Sequence, residues 1–177
     1  MNKKTCKYCK ERFEPIRSFQ KNCLKTECIE ANNKKIRDSK AKASRKRLKQ
    51  FNDSDVAVLK RKAQTACNAY IRKRDEKEKC ISCGHNFVFG RQRHAGHYRP
   101  QGGHSLLRYD ERNIHVQCSI CNNHKSGNLA DYRINLIEKI GLDTVEELET
   151  MDTMKRWTVE ELKEIIDTYK TKLKELN

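Results

Sequence analysis

Two C-x2-C pairs, Cys80-Ile-Ser-Cys83 and Cys118-Ser-Ile-Cys121, stand 34 residues apart and constrain this chain more than any other feature. A C-x2-C turn sets two sulfurs along one edge of a tetrahedron. Two such turns therefore supply the four thiolates that Zn²⁺ prefers, and they close the loop between them. A single pair occurs in many chains, but two of them flanking a Gly- and His-rich loop specify a closed metal site. A looser set, Cys6-Lys-Tyr-Cys9 with Cys23 and Cys28, repeats the chemistry as C-x2-C-x13-C-x4-C. Phe13 and Phe19 are expected to fill that small module. Eight of the nine cysteines are then zinc ligands, and Cys67 reads as a small buried hydrophobe on a helix.

Metal is needed because apolar packing alone cannot hold this chain. Of 177 residues, 36% are apolar and 36% charged, too little apolar surface for one large core. No run approaches the length of a membrane span and no apolar leader follows Met1, so the chain is expected to be neither membrane-spanning nor secreted. A reducing compartment disfavours disulfides and favours metal thiolates.

The charge is polarised. Residues 1–50 carry 17 basic and 5 acidic side chains, whereas residues 131–177 carry 8 basic and 12 acidic, within a net charge of +15. The densest runs are Lys34-Lys35-Ile36-Arg37 and Arg45-Lys46-Arg47-Leu48-Lys49. Such runs favour a polyanion. The absence of a Trp- or Phe-rich face along 30–50 argues for nucleic acid over a membrane surface.

Four segments follow: a four-cysteine zinc module over 1–29, a basic helical stretch over 30–79, a zinc-stapled core over 80–130, and C-terminal helices over 131–177. Residues 30–79 contain neither Pro nor Gly. Asp53-Ser54-Asp55 caps a helix whose packed face carries Val58, Leu59, Ala63, Ala66, Cys67, Tyr70 and Ile71. The stretch 30–50 lacks such a face and is expected to be mobile or ordered by a ligand. Six of the seven glycines fall in 80–130, which reads as short strands and loops ending in a short helix. Farther on, Tyr132, Leu136, Ile137 and Ile140 share a face that Gly141 ends. Thr144 to Glu149 reads as a short helix, and Thr158 with Glu161 forms a capping box for the last one. The predicted class is α+β.

The loop between the paired cysteines holds His94-Ala-Gly-His97-Tyr-Arg99, then Asn113-Ile-His115, and Asn122-Asn-His-Lys125 follows the last cysteine. Imidazole and amide oxygen can ligate a divalent ion, and imidazole is a general base near neutral pH. Phosphodiester hydrolysis uses both, with the thiolate zinc as scaffold and a separate ion at the reacting centre.

That order, with C-x2-C, G-H, G-G, N-I and C-x2-C-N, resembles the HNH (ββα-metal) endonuclease motif. More closely, Ala69-Tyr-Ile-Arg-Lys-Arg-Asp75, Cys-Ile-Ser-Cys-Gly84, Ala-Gly-His-Tyr98, Arg-Asn-Ile-His115 and Cys-Asn-Asn-His-Lys-Ser-Gly-Asn128 resemble the NinG (Rap) family of lambdoid-phage recombination nucleases. The likeness covers roughly residues 60–175, with a similar layout before it. It implies a zinc-stapled ββα-metal core and a structure-selective endonuclease for Holliday junctions or D-loops, acting in the cytoplasm of a phage-infected bacterium. His97 would be the general base, Asn122 a ligand of a catalytic Mg²⁺ or Mn²⁺, and Asn113 the brace of the loop that aims His97. Arg99 and Lys125, with Lys34, Lys35, Arg37, Arg45, Lys46 and Arg47, would contact DNA phosphates. Many HNH motifs carry an acidic ligand directly before the base, where this chain has Gly96. The NinG relatives tend to have Asp three residues before it, where this chain has His94. The second ligand is therefore open among His94, Asp110, His115 and His124, and imidazole favours Mn²⁺. His85 and His104 read as structural, Asn128 as a turn residue. Two strands cut at a junction suggest a homodimer. The competing classes are a noncatalytic zinc-containing DNA- or RNA-binding recombination accessory and an adaptor that docks a partner through its acidic helices.

Overall fold

A computed structural model describes residues 3–88, 92–151 and 154–176. The chain is mixed α+β, with two small sheets and two compact units, Met1–Asp53 and Ser54–Asn177.

In the first unit, β1 (Lys4–Thr5) pairs antiparallel with β2 (Arg12–Phe13), and helix α1 runs from Thr26 to Ser54. At 1.5 Å per residue α1 is about 43 Å long. Its one buried residue is Cys28, in the first turn, and every described residue from Asn33 to Phe51 is exposed. The stretch 30–50, read as helical but without a packed face, is an exposed helix. Its Ala-, Lys- and Arg-rich sequence supplies the propensity, and Cys28 ties the helix to the cysteine module.

The second unit is built on α2 (Val56–Arg74) and α5 (Val159–Glu175). Asp55 caps α2 by accepting from the Val58 amide at 2.8 Å. The capping box of Thr158 and Glu161 opens α5 as its sequence predicts. Leu59, Ala63, Cys67 and Ile71, spaced four apart, pack on Leu162, Ile166 and Tyr169, with Tyr109 and Ile114 completing the cluster. Cys67 is fully buried there, and burial pushes its thiol up to about 12.

Against this pair lies an antiparallel ribbon of β3 (Arg93–His97) and β4 (Ile114–Cys118), in register Arg93↔Cys118 through His97↔Ile114. Ala95 and Ile114 meet the α2–α5 cluster, while the face carrying Gly96 and His115 meets Tyr132 of α3 (Leu129–Ile140). A π-helical turn over Ile120–His124 joins β4 to the segment before α3. Gly141, at φ +86°, separates α3 from α4 (Leu142–Thr150), two residues longer at the start than its sequence suggests. Among the described residues no helix is long and apolar enough to cross a membrane.

Candidate metal centres and catalytic ribbon

Cys6, Cys9, Cys23 and Cys28 converge, as do Cys80, Cys83, Cys118 and Cys121. Within each set every sulfur lies within 4.8 Å of the others. A tetrahedron with Zn–S bonds of about 2.3 Å has S···S edges of about 3.8 Å. The observed separations are 3.7 Å for Cys6–Cys28 and for Cys9–Cys23, and 4.0 Å for Cys83–Cys118. The nine cysteines form no disulfide. Two four-cysteine clusters that could hold zinc are therefore present.

The first C-x2-C turn of each cluster folds the same way. The Cys6 amide donates to Glu11 O at 2.8 Å and the Lys10 amide to Cys6 O at 3.1 Å. The Cys80 amide donates to His85 O at 3.1 Å and the Gly84 amide to Cys80 O at 2.9 Å. The residue after the second cysteine is left-handed in each, Lys10 at φ +67° and Gly84 at φ +66°. Glycine takes that conformation freely and lysine does not. Backbone amides point at sulfur from Cys23 to Cys6 and from Cys118 to Cys80, each at 3.3 Å. Such donors stabilise thiolate over thiol. Phe13 packs against the first cluster together with Tyr8, and Phe87 against the second. The expectation for Phe19 fails, since its side chain is 71% exposed.

The residues singled out on the ribbon form two pairs rather than one cluster. At the end of β3, His97 Nε2 donates to Arg108 O at 3.0 Å, leaving the Nδ1 lone pair 3.3 Å from the Gln101 amide nitrogen. Burial pushes the His97 pKa below its ordinary value, against the opposing pull of the Arg108 carbonyl, so the imidazole is neutral at pH 7. Asn113, fully buried, holds the same loop: Oδ1 accepts from the Arg99 amide at 2.7 Å, and Nδ2 donates to Arg99 O at 3.1 Å and Leu107 O at 3.0 Å.

Three residues before His97, about 10 Å along the strand, His94 Nδ1 lies 3.0 Å from Asn122 Nδ2 in the π turn. His94 Nε2 faces Gln92 Oε1 at 3.4 Å. Asn122 Nδ2 also donates to Asn123 Oδ1 at 3.0 Å, so the amide must turn before Oδ1 and imidazole Nδ1 face one ion. The pair offers two neutral donors and no carboxylate. Asp110 is held by Arg112, with Nη2 at 2.8 Å. His115 is buried, its Nδ1 3.1 Å from Arg74 Nη2 and its Nε2 donating to Arg112 O at 3.2 Å. Burial, then the Arg74 guanidinium, push His115 down to about 4. His124 is exposed at the end of the π turn.

The glycine before His97 has a steric cause. A Cβ at Gly96 would collide with Gln117 Oε1 and lie 2.9 Å from Gln117 Cβ. Gln117, fully buried, is tied to Ser82 Oγ at 2.6 Å. An acidic ligand cannot enter there without displacing it.

Lys125, Lys34, Lys35, Arg37, Arg45, Lys46 and Arg47 are all exposed, the last six on α1. Arg99 is half-buried, with a buried Nε that has no hydrogen-bond partner among the described residues. His85 Nδ1 bonds Cys83 O at 2.9 Å, a structural contact. Sequence reasoning missed Arg108, Gln101 and Gln117. Arg108 acts through its backbone carbonyl, which leaves no trace in residue identity. Gln117 is visible only as an amide that alternates with His115 between the apolar residues of its strand.

Fold and clusters together define a small α+β protein with one four-cysteine cluster and one two-stranded ribbon in each of its two units. The family model described as Bacteriophage Lambda NinG protein matches residues 1–177, and the chain belongs to this family. Protein ninG of Escherichia phage 933W is 40% identical over 98% of this chain and 94% of its own length. Those of Salmonella phage P22 and Escherichia phage lambda are 52% and 50% identical, each over 66% of this chain and 56% of their own length. No solved structure matches.

Proposed function

We propose that the chain is a metal-dependent, HNH-type endonuclease that cuts branched DNA, such as Holliday junctions and D-loops, during phage recombination in the host cytoplasm. The observation that carries this reading is the contact of His97 Nε2 with the Arg108 carbonyl at 3.0 Å: the carbonyl accepts from Nε2–H, which leaves Nδ1 as the basic atom. The order β3, β4, π turn and α3 agrees with a ββα-metal core.

His94 and Asn122 fit a divalent ion by donor chemistry, with the remaining positions left to water and phosphate oxygens. Mg²⁺ or Mn²⁺ held there would supply charge stabilisation at a DNA phosphate about 10 Å along β3 from His97. The chain's own residues do the rest. His97 Nδ1 accepts a proton from the attacking water once Gln101 moves aside. Asn113 keeps the Arg108 carbonyl and the Arg99 backbone in place, which fixes the imidazole plane. Arg99 and Lys125 neutralise phosphate charge near the ribbon, and the exposed cations of α1 supply sequence-independent affinity. Two copies would place one site on each strand of a junction.

The test is cutting of a labelled four-way junction with added Mn²⁺ or Mg²⁺. Metal-dependent incision is expected. Binding without incision would turn the reading to a noncatalytic recombination accessory.

A further inference from the structure

The loop from Pro15 to Leu24 carries three large apolar side chains that its module leaves in water. Ile16 is 73% exposed, Phe19 71% and Leu24 62%. The loop is nevertheless well tied. Gln20 Oε1 accepts from the Ile16 amide at 2.8 Å, its Nε2 donates to Asn22 O at 2.8 Å, and the Lys7 amide anchors Lys21 O at 3.0 Å. The Arg17 guanidinium stands 6.0 Å from the Phe19 ring centre. A fixed backbone that holds apolar groups outward presents a surface for something else.

The surroundings say what. Ile16, Phe19 and Leu24 line a recess of about 540 Å³ together with Arg17, Lys21 and Asn32. Asn32 also lines a neighbouring recess of about 320 Å³ whose walls carry Lys7, Lys35 and Lys40. Residues 3–25 hold eight basic and two acidic side chains. Apolar contact beside dense positive charge matches nucleic acid whose bases are unpaired, because such bases offer flat faces and their links are anionic. Paired duplex offers the charge but keeps its base faces stacked.

We propose that Ile16, Phe19 and Leu24 form a stacking platform for unpaired DNA bases, while Lys7, Lys35 and Lys40 hold the adjoining phosphates. This rests on the DNA-directed reading above and deepens it. Phosphate contacts position a protein but do not distinguish a branch from a duplex, whereas a platform for splayed bases does.

The test uses the full-length, zinc-loaded protein with Ca²⁺ in place of Mn²⁺, so that affinity is read apart from cutting. Labelled splayed-arm junction, whose bases at the branch are unpaired, single strand and continuous duplex are titrated by fluorescence anisotropy. Phe19→Ala is expected to weaken the junction and single strand about tenfold and leave duplex binding nearly unchanged, with Phe19→Trp restoring both losses. Lys35→Gln with Lys40→Gln should weaken all three ligands together. Zinc content is measured for each variant, and Phe19, being exposed, can change without loss of folding. The platform is overturned if Phe19→Ala binds all three as wild type does, which would leave the patch to a protein partner, or if it weakens all three equally. A wild-type protein that binds junction no better than duplex would overturn the branched-DNA reading itself.

Discussion

Replacing Asn113 by alanine removes three hydrogen bonds from one buried side chain. The Arg99 amide, the Arg99 carbonyl and the Leu107 carbonyl all lose their side-chain partner, at present separations of 2.7, 3.1 and 3.0 Å. Each such bond contributes about 1 kcal/mol net, and polar groups left unpaired in the interior add to the loss, so about 3 to 4 kcal/mol of stability should disappear. That is a large share of the roughly 5–15 kcal/mol that holds an ordinary domain. Urea unfolding followed by circular dichroism, with excess Zn²⁺ throughout, measures it. The loosened segment also carries the Arg108 carbonyl that orients His97, so the proposed nuclease activity should fall even at temperatures where the variant stays folded. A loss below about 1 kcal/mol would show that the segment from Arg99 to Arg108 holds itself, and the bracing role would be refuted.

Acid should destabilise the second unit through His115. The unfolded chain takes up this proton below about 6.5 and the folded chain only near 4, so stability declines as pH falls across that window, by up to about 3 kcal/mol. His115→Gln should flatten the decline between pH 6.5 and 4 in urea titrations, and an unchanged slope would contradict this. Junction cutting should be faster with Mn²⁺ than with Mg²⁺, because His94 stands where a carboxylate would suit Mg²⁺ better, and His94→Asp should reverse the preference. Equal or greater rates with Mg²⁺ in the wild type would count against His94 as a ligand.

The two four-cysteine clusters were legible because a C-x2-C spacing is itself a geometric statement. Both quartets close as their spacing predicts, even the looser one with 13 residues in its middle. The face of α2, the stop at Gly141 and the Thr158 cap were legible for a similar reason, since each is a local rule written in neighbouring residues. What the sequence withholds is contact between distant residues. Phe13 and Phe19 look alike as fillers, yet one packs on the sulfurs and the other faces water. Of four candidate partners for Asn122, the structure brings His94 against it and engages His115 with Arg74 and Asp110 with Arg112. Gly96 reads as a missing ligand until Gln117 is seen filling its space. Helix α1 was legible as helix from its Ala-, Lys- and Arg-rich run without Pro or Gly, and it begins four residues earlier than that segment, at Thr26.

The central claim, that His97 is the base, is tested most directly by single-turnover cutting of a four-way junction with His97→Ala, with and without added imidazole. The account predicts a rate about 10²- to 10⁴-fold below wild type, unchanged junction affinity, and partial recovery when imidazole fills the vacated space. Wild-type cutting by the variant, or a loss of binding that matches the loss of rate, would contradict it.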